Sequence, residues 1–324
     1  MGESSTHVVN KELTNMAATV VKNESSWIPA QVYKRPYLGF IAIATLLAYQ
    51  MFGHTFTMIQ REYLDHTAIF YMDLAIGAIG FIFVWKGFGK DELTATCYGA
   101  LGGSLIWFGW FESTFELVAG PMHIDTVMFN GTPYFGGGLQ ILEATGAFIT
   151  PVLMLLGLNK DTRCRFFLWF QRNLNLRPET PTAGYRRQYS RITALEYIFI
   201  TWFIYVVDLM LLDPRIFEPG GMLMMGLFSV FTIWAGYLFF YKMPQQTGVA
   251  PTIRYAIGAG IVVWMVPETL AASQMMTEIW ILPFEYPITM TLVTIYMIIG
   301  CYVLSTAPDR GALPKVKKSR AAGK

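Results

Sequence analysis

The chain has 324 residues, 54% of them hydrophobic and only 14% charged, with 24 Phe, 17 Tyr, 18 Met and 9 Trp. Soluble domains carry nearer a quarter charged residues, and several apolar runs reach the ~20 residues that cross a hydrocarbon core. Composition therefore argues against an ordinary water-soluble domain and predicts an all-α, polytopic integral membrane protein.

Residues 1–35 are polar, but Val8, Val9, Leu13, Met16, Val20 and Val21 recur at roughly helical spacing. They predict either an amphipathic helix on the membrane surface or a disordered polar tail. No apolar core followed by a small-residue cleavage site stands there, so no cleavable signal peptide is expected. Four spans are predicted within 36–158, at about 37–57, 67–86, 94–118 and 133–158. A basic loop follows over 159–191, in which Phe166, Phe167, Trp169 and Phe170 alternate with arginines. Beside spanning helices that mixture points to anionic headgroups and not to nucleic acid. Four further spans are predicted within 192–306, at about 192–212, 221–241, 254–275 and 286–306, ahead of a basic tail over 307–324.

Cytoplasmic loops hold an excess of Lys and Arg. With eight spans and both termini cytoplasmic, 22 of the 24 bases lie inside, and only Arg61 and Arg215 outside. The acids divide the other way: 13 of 22 lie outside, which against two bases leaves the outer side at −11. That field concentrates cations at the outer face. Short loops and the expected lack of a cleaved signal fit a multi-pass protein of a prokaryotic plasma membrane. The halves show a weak likeness: Tyr98, Gly103 and Trp107 align with Tyr255, Gly260 and Trp264, and Glu112 meets Glu268 after a one-residue slip. This suggests a 4+4 parallel repeat.

The costliest stretch runs from Trp107 to Glu116, where Glu112 and Glu116 stand one helical turn apart among apolar residues. Like charges at i and i+4 repel, and each ionised group in a bilayer costs a few kcal/mol more. A shared proton, a bound cation or a histidine from a neighbouring helix would compensate them. His54, His66 and His123 all map to the outer side, with Asp65 and Asp125 close by. Imidazole and carboxylate together are ligand chemistry for copper, zinc, iron or manganese. His54, His66, His123, Glu112, Glu116 and Asp125 are thus the expected metal ligands at an outer mouth. Asp73, Glu143, Asp208 and Glu268 are buried acids suited to a proton or cation pathway, and Pro267 would open the helix ladder beside Glu268.

Three functions follow: a membrane metalloenzyme or a subunit of one, a cation- or proton-coupled transporter, and a structural subunit packed against other membrane subunits or further copies of itself. A P-loop, HExxH and GxSxG are all absent from the sequence, which removes the chemistries those motifs carry. Lysine is missing from the apolar part of every predicted span, which argues against a retinal Schiff base. Cys97, Cys164 and Cys301 form no CxxC pair and read as reduced, silent thiols.

Overall fold

The computed structural model describes residues 28–308 apart from 162–164, 177–179, 181, 185 and 274. The expected amphipathic segment before residue 28 and the basic tail beyond 308 lie outside the described residues. The described residues are mostly helical, 75% of them. Among them seven helices are long and apolar enough to cross a membrane: Tyr37–Tyr63, His66–Lys86, Gly137–Leu155, Tyr189–Leu212, Met222–Gln245, Val249–Ala272 and Pro287–Ser305.

Helix α1 (Tyr37–Tyr63) continues six residues past its expected end. Its polar last turns find partners sideways: Gln60 donates to Asp73 at 2.8 Å and Arg61 meets Glu116 at 3.6 Å. Only Leu64 and Asp65 then connect to α2 (His66–Lys86), which Asp65 caps by accepting from the Ala68 N–H at 2.7 Å. Helix α3 (Glu92–Ile106) passes without a break into a π-helical turn, Trp107–Glu112, and on into α4 (Ser113–Ala119).

The all-α expectation needs one correction. Residues 127–135 form an antiparallel hairpin of β1 (Val127–Phe129) and β2 (Thr132–Phe135). Asn130 (φ 50°) and Gly131 (φ 80°) supply the left-handed pair that a tight hairpin turn needs. The next span therefore starts later than predicted, as α5 (Gly137–Ala144) followed by α6 (Gly146–Leu158).

Helix α7 (Arg165–Asn173) lies within the basic loop, and its three phenylalanines pack on the chain while Trp169 is exposed. Phe166 and Phe170 meet Phe203, and Phe167 meets Phe199, of α8 (Tyr189–Leu212). Helix α9 (Met222–Gly236) ends in a second π turn, Tyr237–Lys242, and a 3-10 turn, Met243–Gln245. Helix α10 (Val249–Ala272) begins five residues earlier than expected, and α11 (Pro287–Ser305) is the last of the described helices. Arg254 consequently sits inside the bundle instead of at its surface. Its guanidinium reaches Glu92 and Thr96 and stacks 4.9 Å over Tyr189.

Helices α1, α3, α8 and α10 form the centre. Close approach depends on glycines: a Cβ on Gly102 would stand 2.6 Å from the Gly80 carbonyl, and one on Gly99 2.3 Å from that of Ser190. Around the centre, apolar side chains such as Phe81, Trp85, Ile288 and Leu292 face outward, as a bilayer environment requires. The connections after α1, α4, α8 and α10 gather at one end, here the hairpin end. Those after α2 and α9 lie at the opposite, basic end.

At the hairpin end Arg215 ties the connection after α8 to α5. It forks onto the buried Asp213 carboxylate at 2.7–3.0 Å, donates to Gln140 at 2.9 Å and stands 3.5 Å from Glu143. Burial raises the Asp213 pKa, but the Arg215 hydrogen bonds and charge outweigh it and hold the carboxyl below its ordinary value. Arg215→Met should therefore destabilise the fold by ~1–2 kcal/mol at neutral pH. A depressed carboxylate pKa contributes stability above its unfolded value and loses it as pH falls through the folded one. Denaturation of the two proteins in detergent should accordingly converge as pH drops below ~4.

Candidate functional site: a polar chamber inside the bundle

Four helices bring polar side chains to one enclosed point. His54 of α1 lies 3.4 Å from Glu268 of α10, with the two side chains 22% and 12% exposed. The His54 ring stacks on Trp264, centroids 5.6 Å apart, and Trp264 packs in turn on Trp280 at 4.8 Å. Glu112 enters from the π turn, whose wider i→i+5 winding sets it beneath Trp107. The indole N–H donates to it at 3.2 Å. A π turn often marks a functional position, and here it aims a carboxylate inward. Gln50, Thr201 and Tyr205 complete the polar part, and Ile204, Ile261 and Met265 the apolar part, of the lining of a cavity of about 30 Å³, large enough for a water molecule.

This chamber adjoins a larger cavity of about 690 Å³ at the hairpin end, and Tyr205 and Glu268 line both. The larger cavity adds Asp208, Glu278, Thr277 and Tyr134. Asp208 is completely buried; Thr269 donates to its Oδ1 at 3.1 Å, and its Oδ2 has no hydrogen-bond partner. Thr201 Oγ1, at the chamber wall, is likewise unpartnered. Buried polar atoms are rarely left so, and these two line the paired cavities. Glu278 stands outside the spanning segments, and its pKa is raised by burial first and then by the negative charge of Glu268, against the opposing pull of His54.

The residues expected from sequence divide into separate groups. His54, Glu112, Asp208 and Glu268 converge on the paired cavities. The remaining members of the metal set lie apart. Glu116 pairs with Arg61, His66 is the exposed first residue of α2, and His123 and Asp125 are exposed in the connection before β1. Among the described residues, no group of three or more His, Cys, Asp and Glu is arranged to hold a metal ion. Asp73 is held by Gln60 between α1 and α2. Glu143 lies six residues into its span rather than ten, because the hairpin delays the helix start, and it faces Arg215.

The repulsion expected between Glu112 and Glu116 is relieved by separate partners. His54 shares the chamber with Glu112, and Arg61 takes Glu116. The pairs aligned between the halves, Trp107 with Trp264 and Glu112 with Glu268, line one cavity. Gln50, Thr201, Tyr205 and Glu278 were not anticipated. Tyr205 and Asp208 share a face at i and i+3, a spacing that marks the inward side of α8.

Fold and site together define a multi-pass membrane protein with a buried imidazole–carboxylate chamber beside a cavity at one end of the bundle. No protein-family model, curated protein or solved structure matches this chain.

Proposed function

We propose that the chain is an eight-span plasma-membrane protein with both termini cytoplasmic, the eighth span being the continuous helix through α3, the π turn and α4. Its function in this reading is proton-coupled: it exchanges protons between the outer aqueous phase and the middle of the bundle. The observation that carries this is the contact of His54 with Glu268, a base and an acid sharing a chamber that adjoins the cavity at the hairpin end.

The sign of the loops supports the orientation, because Lys86, Lys90, Arg172, Arg186, Arg187, Arg191 and Lys242 lie in or beside the connections of the basic end. The outer excess of acids would raise the local proton concentration. Glu278 at the rim, Asp208 in the larger cavity, Glu268 between the two cavities, and His54 with Glu112 inside form the proposed relay, since intramembrane acids facing a bundle interior commonly serve proton transfer. Towards the basic end the neighbouring cavity has an uncharged lining. The relay is therefore a half-channel from outside to mid-membrane and not a continuous pore.

Infrared difference spectroscopy of reconstituted protein between acidic and alkaline buffer tests this. A carboxyl C=O band should appear on acidification and be reduced in both Glu112→Gln and Glu268→Gln. A spectrum unchanged by either substitution, with stoichiometric copper, zinc, iron or manganese in the purified protein, would favour the metal-centred reading instead.

A further inference from the structure

A third cavity, of about 350 Å³, lies on the basic-end side of the chamber between α1, α3, α8, α10 and α11. Its walls are Ala42, Leu46, Ala100, Ala256 and Ile257 among others, and no charged side chain lines it. Leu101, Cys301, Tyr302 and Ser305 line it and are exposed on the outer faces of α3 and α11, so its mouth opens sideways, where the bilayer would be. A ligand reaching it travels through lipid and is uncharged when it enters.

The hydroxyls of the lining define that ligand further. Ser104 donates its hydrogen to the Leu101 carbonyl at 2.8 Å, so Tyr49, 2.8 Å from Ser104 Oγ, is the donor in that pair. Thr45 donates to the Ile41 carbonyl and Ser305 to that of Tyr302. The hydrogens of these four hydroxyls are spent on protein acceptors, and what remains free on them is lone pairs; Tyr197 and Tyr302 also line the cavity. At the Tyr49–Ser104 pair the wall offers acceptors, and acceptors favour a donor.

We propose that this cavity binds a neutral membrane lipid whose headgroup carries a hydroxyl, the headgroup resting against Tyr49 and Ser104 and the chain leading out past Leu101 and Tyr302. A bulk hydrocarbon tail would fill the space but gain nothing from the hydroxyls, and a phospholipid headgroup would strand its charges in an uncharged pocket. The site also lies close to the proton chamber. Tyr49 and Gln50 are adjacent in α1 and face one cavity each, and His54 is ~7.5 Å further along the axis.

The test uses the full chain in lipid nanodiscs, with 1-dodecanol as the probe and its methyl ether, which has lost the donor hydrogen, as the comparison. Dodecanol should bind saturably, about one per chain and about tenfold tighter than the ether, the size of one hydrogen bond's contribution. Tyr49→Phe should erase most of that preference while leaving the fold intact by circular dichroism and gel filtration. Ala100→Phe, which fills the pocket, should abolish saturable binding of both probes. Equal binding of alcohol and ether to the wild type would overturn the proposal, as would a preference unchanged in both Tyr49→Phe and Ser104→Ala. Non-saturable partition identical in wild type and Ala100→Phe would do so equally.

Discussion

Glu268→Gln should reduce the response of the chamber to an external pH jump at least tenfold, with thermal stability changed by no more than ~1 kcal/mol. The response is read from tryptophan fluorescence, because Trp264 stacks on His54 and senses the charge of that ring. Glutamine keeps the size and the hydrogen-bonding reach of glutamate but cannot take up or release a proton. Glu268 lines both cavities and faces His54 at 3.4 Å, so its loss removes the acid that joins the larger cavity to the chamber. Trp264→Phe supplies the control that assigns the signal. A full-sized response in Glu268→Gln would show that protons reach His54 by another path.

Gly102→Leu is expected to be among the most damaging single changes to the fold. The Gly102 Cα of α3 faces the backbone of α2, and a Cβ there would fall 2.6 Å from the Gly80 carbonyl oxygen and 3.0 Å from the Val84 nitrogen. Backbone atoms cannot swing aside as a flexible side chain can, so the two helices must separate along their length. Overpacking of this kind costs ~3 kcal/mol or more. Aggregation in gel filtration, or a large drop in detergent denaturation midpoint, is the expected outcome. Gly226→Ala is the counterpart. A Cβ at Gly226 meets nothing within 4 Å, and replacing a mid-helix glycine should stabilise by ~0.5–1 kcal/mol. Equal tolerance of both substitutions would refute the close packing of α2 on α3.

Much of the architecture was legible because apolar runs of spanning length have few alternatives. What escaped was decided by partners distant in sequence. The segment 58–63 contains Gln60, Arg61 and Glu62 and reads as a loop, yet it stays helical because Asp73 and Glu116 receive the first two. Arg254 reads as a surface charge until Glu92, 162 residues away, is brought against it. The hairpin did carry a local signal: Asn130-Gly131 is a strong tight-turn dipeptide, but its strands are too short for alternation to stand out.

The site was legible residue by residue but not as a set. His54, Glu112, Asp208 and Glu268 were conspicuous as polar groups in apolar surroundings, and burial of such groups demands partners wherever they come from. Neighbourhood in sequence misdirected the grouping, since His66 beside Asp65 and His123 near Asp125 looked equally placed. Asp65 instead caps α2, and His123 takes a positive φ of 52° in a turn. The π turn at Trp107–Glu112 had no sequence signature that separates it from regular helix, although it positions the carboxylate on which the chamber depends.

The central claim is that the chamber exchanges protons with one side of the membrane. It is tested most directly in oriented proteoliposomes by jumping the pH on one side at a time while following Trp264 fluorescence. A jump on the side of the hairpin end should give a prompt response that His54→Gln abolishes, and the same jump on the basic side should give none. A response from the basic side alone, or equal responses from both, would contradict the half-channel.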